Sequence, residues 1–221
     1  MILALDTSTE TTGLALFDGE RLRAEQMWLS PEHATVDLAP EIALMLRRTR
    51  TPLQDVTSIA VALGPGSFTG LRIGLALARG LSFAGRRKLV GVPTLDVLAR
   101  AQPARSEPML AFLHAGRGRL AGVWYKWTKR GWKPQGDPQS LRWDDVREQR
   151  SPPFHLCGDF TADERTAWKD ATGVTLSAPA LSTRRPGLLA QIGWEMLQAR
   201  KPSDPLKLTP IYLSRLSEVS G

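Results

Sequence analysis

Apolar residues come as short unbroken runs at the start of the chain and as helical stripes further in. Residues 2–5 (Ile-Leu-Ala-Leu) run into Asp6 and a threonine/serine cluster, and residues 13–17 are a second apolar run closed by Asp18-Gly19. That dipeptide predicts a hairpin turn, because glycine supplies the positive φ such turns need. Residues 22–29 alternate weakly and complete a three-stranded meander. From residue 31 to residue 50 the period changes. Val36, Ala39, Ala43 and Leu46 share one stripe with Leu38, Ile42 and Met45 beside it, which predicts a helix. Pro40 should kink that helix or split it. Residues 58–63 read as a buried strand, 64–70 as a glycine-rich turn, and a long apolar helix follows to about Ala84. A strand over 88–92 then leads at Thr94 into a short helix.

The order repeats more loosely after residues 102–108, a polar stretch with two prolines. Strands are predicted over 109–113 and 120–127, a helix over 143–149 and a strand over 154–157. Helices over 162–172 and 188–199 complete the series. Two β-β-β-α-β-α units predict an α/β fold of two like lobes. The expected division is residues 1–103 and a reduced second lobe, 104–221, ending in a helix and tail. No residue-level repeat links the halves, so this rests on element order.

Composition narrows the class. The chain has 221 residues, 42% hydrophobic and 23% charged, enough for packed cores and against wholesale disorder. Its single cysteine, Cys157, has no internal disulfide partner, which points to a reducing compartment. Residues 1–9 lack a basic start, and the apolar run 73–78 is bounded by Arg72 and Arg79, so neither signal peptide nor membrane span is expected. A cytoplasmic protein follows. Its 29 basic against 22 acidic residues give a formal charge of +7, which favours polyanionic partners or serves solubility.

Two motifs bear on phosphate chemistry. An acid ending a first strand, followed by hydroxyl residues, suits a metal-bound phosphate: Asp6 would orient the hydrated cation while Thr7 and Ser8 approach the phosphates. The plainer role is capping of the strand and its turn. Residues 64–74 read Gly-Pro-Gly-Ser-Phe-Thr-Gly-Leu-Arg-Ile-Gly, which is neither a dinucleotide fingerprint nor a Walker loop. A strand, a glycine turn at Gly64 and Gly66 and a helix start at Ser67 could nonetheless hold an anion. Within the helix, Gly70, Gly74, Ala78 and Ser82 form a stripe with almost no bulk, flanked by Leu71, Leu75 and Leu77. Such a stripe lets another helix approach closely, in a core or in a subunit interface. So apolar a helix in a small lobe favours the interface.

The three histidines are scattered and Cys157 stands alone, so no metal site is expected. No Gly-x-Ser-x-Gly elbow occurs. Trp124, Lys126, Trp127, Lys129, Arg130, Trp132 and Lys133 interleave rings with cations, as surfaces that stack bases do. Val123, Tyr125 and Trp127 alternate on one strand face, so some of them are expected in the core.

Residues 1–10 and 64–74 together resemble the TsaB (YeaZ) family; residues 73–81, 90–95 and 210–213 look like its later landmarks. The likeness is strong over the first hundred or so residues and thin beyond, apart from 210–213. It implies an actin-like ATPase (ASKHA) fold and a non-catalytic scaffold that pairs with a TsaD-like enzyme and a small TsaE-like ATPase. That complex adds threonylcarbamoyl to the adenosine beside the anticodon of tRNA. ATP and metal are expected in the partner subunits and none in this chain, which would contact tRNA through the complex and form a homodimer when alone. The joint with either partner is expected on the helices over 31–50 and 69–84, through Val36, Ile42, Leu46, Gly70, Leu71, Gly74, Leu75, Ala78 and Ser82. Where the family has Asp-Ala-Arg-x-Gly-Glu, this chain has His114-Ala-Gly-Arg-Gly-Arg119. The rival readings are a small actin-like ATPase or kinase acting alone through Asp6, and a metallopeptidase, against which the missing histidine pair argues.

Overall fold

The computed structural model describes residues 1–30, 34–199 and 203–213. In chain order the elements begin with β1 (Ile2–Asp6), β2 (Thr11–Phe17), β3 (Leu22–Leu29), α1 (Ala34–Arg48), β4 (Ser58–Ala62), α2 (Phe68–Gly85), β5 (Lys88–Val92) and α3 (Thr94–Arg100). They continue with β6 (Met109–His114), β7 (Leu120–Thr128), β8 (Gly131–Pro134), β9 (Gln139–Leu141), α4 (Trp143–Gln149), β10 (Phe154–Gly158), α5 (Ala162–Lys169), β11 (Val174–Leu176) and α6 (Pro186–Gln198). Two compact units result. Among the described residues, one comprises Met1–Val97 and Arg184–Ile211, the other Leu98–Thr183 with Tyr212 and Leu213. The expected boundary at residue 103 is thus corrected in two ways. The break lies within α3, and α6 returns to the first unit instead of closing the second.

The first unit holds a sheet in the order β3-β2-β1-β4-β5. The meander β1–β2–β3 is antiparallel, while β4 pairs in parallel with β1 and with β5. Every residue of β1 and β4 is buried. Their sequences run apolar without alternation because helices cover both faces of the sheet. Leu3, Leu5, Leu14, Leu16, Ile59 and Val61 form a core with Leu38, Ile42 and Met45 of α1 and Leu75 and Ala78 of α2. The opposite face packs Ile2, Ala4, Ala15, Ala60 and Val90 against Leu189 and Ala190 of α6. That second layer is why α6 belongs here.

Helix α1 runs through Pro40 without a break. Pro40 is exposed, where water can satisfy the carbonyl its missing N–H leaves free. Residues 31–33 of the predicted helix, and the side chain of Val36, lie outside the described residues. Helix α2 starts where Ser67 caps it, its hydroxyl accepting from the Gly70 N–H at 3.2 Å. It ends at Arg86, which takes the left-handed conformation at φ 49°.

The second unit's sheet runs β11-β10-β6-β7-β8, with β9 also paired to β7. Read from its other edge, this is the order of the first sheet: a meander, then two parallel strands beyond the opening strand. The expected reduction is therefore one of length and not of strand positions. Helices α4 and α5 have seven and eight residues, and β11 has three.

Candidate functional site

At the end of β1 the two phosphate motifs meet, and they fill each other. Asp6, Thr7 and Ser8 are buried. One Asp6 carboxylate oxygen accepts from the Ser8 N–H (2.9 Å) and hydroxyl (2.5 Å). The other accepts from Nε of Arg184 at 3.3 Å, and that guanidinium is only 4% exposed. Arg184 also donates to the Thr9 hydroxyl. The place expected for a cation is thus held by a side chain that is always charged. The glycine turn closes on the same spot. The Ser67 N–H donates to the Ser8 carbonyl at 2.7 Å, and a Cβ on Gly66 would lie 2.1 Å from that oxygen. Gly64 is fixed from behind: its N–H donates to the Thr94 hydroxyl (2.9 Å) and its carbonyl accepts from the Thr94 N–H (2.8 Å).

These residues do not fit a metal-bound phosphate. Both Asp6 oxygens are engaged, and the two turns lie in direct contact where phosphate would enter. Among the described residues no three of His, Cys, Asp or Glu gather as a metal-binding group.

The small-residue stripe also turns inward. Gly70, Gly74, Ala78 and Ser82 are buried, with Leu71 and Leu75 beside them. A Cβ on Gly70 would sit 2.0 Å from the Thr7 carbonyl, and one on Gly74 would sit 2.2 Å from its hydroxyl oxygen. That hydroxyl donates to the Gly70 carbonyl at 2.7 Å. The stripe lets α2 lie on the end of β1, inside the unit, and Ile42 and Leu46 of α1 are buried in the same core. This corrects the expectation that these side chains make the joint with a partner. The helices remain candidates; their opposite faces are the ones in reach. Leu38, Ala39, Arg72, Ile73, Ala76 and Leu77 line a groove of about 440 Å³ between α1 and α2. Phe68 and Phe83 of α2 are each 57% exposed, and the groove residue Arg72 is placed over the Phe68 ring.

In the second unit the divergent segment forms a tight turn from β6 to β7. The Ala115 N–H donates to the Arg119 carbonyl, and Gly116, Arg117 and Gly118 all take positive φ. His114 pairs with Glu164 at 3.1 Å, and Arg119 donates to the Ser140 hydroxyl. Burial works against the charged form of Glu164, but hydrogen bonds from the Thr161 N–H and the Trp143 indole, with His114 beside it, hold its pKa below the usual carboxylate range.

Arg184 and the groove residues Arg72, Ile73 and Ala76 were not signalled by the sequence. Arg184 lies 178 positions from Asp6, and no local pattern marks such a pair.

Residues 29–135 match the family described as "TsaD: tRNA N6-adenosine threonylcarbamoyltransferase". The tRNA threonylcarbamoyladenosine biosynthesis protein TsaB of Bacillus subtilis is 29% identical over the whole chain and 96% of its own length. Its Escherichia coli namesake is 31% identical over 67% of this chain and 65% of that protein. The solved structure of YeaZ from Pseudomonas aeruginosa superposes with a TM-score of 0.74 at 25% identity, covering 96% of this chain and 99% of that one. The chain belongs to the TsaB (YeaZ) family. The fold is the actin-like ATPase fold, and EutJ from Carboxydothermus hydrogenoformans shares the architecture at a TM-score of 0.52 and 13% identity. TsaB proteins are named for tRNA threonylcarbamoyladenosine biosynthesis. No described helix is long and apolar enough to cross a membrane.

Proposed function

We propose that the chain is a non-catalytic subunit in the transfer of threonylcarbamoyl to tRNA, docking a TsaD-like enzyme through the exposed groove between α1 and α2. The observation that carries the reading is the closed turn at β1: the acid on which a phosphate site would rest is neutralised by Arg184 of its own unit. A chain of this fold without that site contributes by binding. The groove supplies the surface, with Ile73 and Leu77 half-buried in it, Ala76 exposed and Phe68 and Phe83 open on the same helix. The TsaE-like ATPase and tRNA enter through the enzyme, which carries the nucleotide and metal chemistry. The same face serves a homodimer when the enzyme is absent.

Ala76→Arg tests this. The position is exposed, so folding is kept, while a charge forced into an apolar seam costs on the order of 3–5 kcal/mol, a hundredfold or more in association. The variant should unfold like the parent, fail to capture the TsaD-like enzyme of its own organism and fail to support modification in a reconstituted reaction. Normal capture by Ala76→Arg would remove the groove from the reading. Product formed by the purified chain alone would remove the non-catalytic assignment.

A further inference from the structure

The sheet of the second unit has an apolar face and a polar one, and the polar one is not satisfied from within. Along β10, Phe154 and Leu156 enter the aromatic core. Alternation turns His155 and Cys157 to the opposite face. There Thr175 of β11 lies beside His155 in the parallel register. Among the described residues, three buried polar atoms of this unit lack a hydrogen-bond partner: Nε2 of His155, Nε of Arg105 and Oε1 of Gln102. Native folds rarely leave such groups unmet.

Two of the three are donors that act on one place. His155 is 1% exposed, and its Nδ1 lies 2.8 Å from the Thr175 hydroxyl. With that hydroxyl donating to Nδ1, the ring proton sits on Nε2 as an unmet donor. Arg105 supplies the other unmet donor and a full charge. It and Glu107 are the charged side chains that act on the imidazole, Arg105 the more strongly. Both come from the segment that opens β6, whose Pro108 carbonyl accepts from the His155 N–H at 2.9 Å. Glu107 leaves the guanidinium unpaired. Its carboxylate accepts from the Ser106 hydroxyl at 3.3 Å, and no ion pair among the described residues involves Arg105. A water would satisfy the imidazole but not the charge. An oxyanion answers both, since guanidinium and imidazole N–H groups bind carboxylate and phosphate oxygens strongly. Pro103, Ala104 and Ser106 are exposed, so the place lies under one surface segment.

We infer that Arg105 and His155 form a binding site for a small free oxyanion, a phosphate or carboxylate group, entered beneath residues 103–107. This goes beyond the proposed function and does not depend on the α1–α2 groove, because it concerns the purified chain without any enzyme.

The experiment follows the imidazole signals of the full chain by NMR, with His155→Gln identifying the His155 ring among the three histidines. Sulfate, whose charge is constant across the pH range used, stands in for phosphate, and acetate for a carboxylate. Sodium chloride at equal ionic strength is the control for screening. Sulfate or acetate should move the His155 signal saturably, and chloride should not. An anion at Nε2 favours the protonated ring. Burial and Arg105 hold the pKa of the empty site at about 4. If the bound anion restores the ordinary value, sulfate affinity rises about tenfold between pH about 7.5 and about 5.5. Arg105→Gln should weaken binding about tenfold. Glu107→Gln should tighten it, because a carboxylate that repels the anion is gone. Indifference of the His155 signal to both anions, an equal response to chloride, affinity that does not rise with acid, or weaker binding in Glu107→Gln would each overturn the inference. Should Arg105→Gln fail to fold, the pH dependence of the parent and the Glu107→Gln variant decide. Failure of the groove test above leaves this result untouched, and the converse holds.

Discussion

Both units bring their first strand to an end at a side chain that takes an ionic partner from its own unit, but they do so in opposite senses. In the first, β1 ends at Asp6, whose partner Arg184 is buried with it. In the second, β6 ends at His114, whose partner Glu164 comes from α5 and whose ring is 36% exposed. The cores differ in the same direction. The first sheet is covered on both faces by long helices and filled with leucine, isoleucine, valine and alanine. The second relies on rings: Phe112 meets Trp143 and Phe160 edge to face at 5.0 and 4.9 Å, and Trp168 packs on Trp143 and Phe154. Helices as short as α4 and α5 offer few apolar positions, and each aromatic side chain covers about 150–250 Å². One topology is thus stabilised in two ways.

The sharpest break in that comparison comes from removing one partner of each pair. Arg184→Met should cost about 3–5 kcal/mol, since it strands a buried carboxylate, and adding Asp6→Asn should restore much of it. His114→Gln should cost about 1 kcal/mol or less, because its pair meets water. Urea midpoints of the single and double variants measure both. Equal midpoints for Arg184→Met and the double variant would show that the two residues are not coupled.

A smaller effect separates the units by pH. His155 of β10 is buried, its Nδ1 2.8 Å from the Thr175 hydroxyl and its Nε2 without a hydrogen-bond partner. Burial, then the nearby Arg105, lowers its pKa to about 4, with Glu107 opposing. The unfolded chain, with a pKa near 6.5, therefore binds the proton more readily. The stabilising contribution is complete above pH about 6.5 and is lost as pH falls toward 4, on the order of 2–3 kcal/mol. His155→Gln should flatten that part of the stability profile of the second unit. A profile unchanged by the substitution would place the acid sensitivity elsewhere.

The smallest effect tests how tight the first unit's seam is. Gly74→Ala puts a Cβ against the Thr7 hydroxyl and should cost about 1–3 kcal/mol. Gly80→Ala, with nothing within 4 Å, should gain up to about 1 kcal/mol from helix propensity. Opposite shifts in thermal midpoint are expected from two glycines of one helix. Two gains would mean that α2 stands off β1 more than the contacts imply.

Much of the architecture could be read along the chain. The strands over 2–6 and 88–92 and the helix over 143–149 coincide with the predicted spans, because period and bounding residues mark them locally. The short strands β8, β9 and β11 were not legible: three or four residues are too few to show a period. The helix over 162–172 ends three residues early, at Lys169.

The sequence by itself determined the class of fold, the doubled order of elements, the family and the identity of the two helices that stand out. Local patterns suffice for these, since periodicity, turn chemistry and a long motif each lie within a short stretch. Only the tertiary structure decided what those features face. The stripe on α2 permits close approach to any surface, and it is β1, laid beside it by the sheet, that takes the place of a partner. Asp6 suits a cation until the return of the chain through α6 brings Arg184 to it. Both outcomes depend on residues far apart in the chain meeting in one buried volume, and no local pattern encodes which charge arrives first.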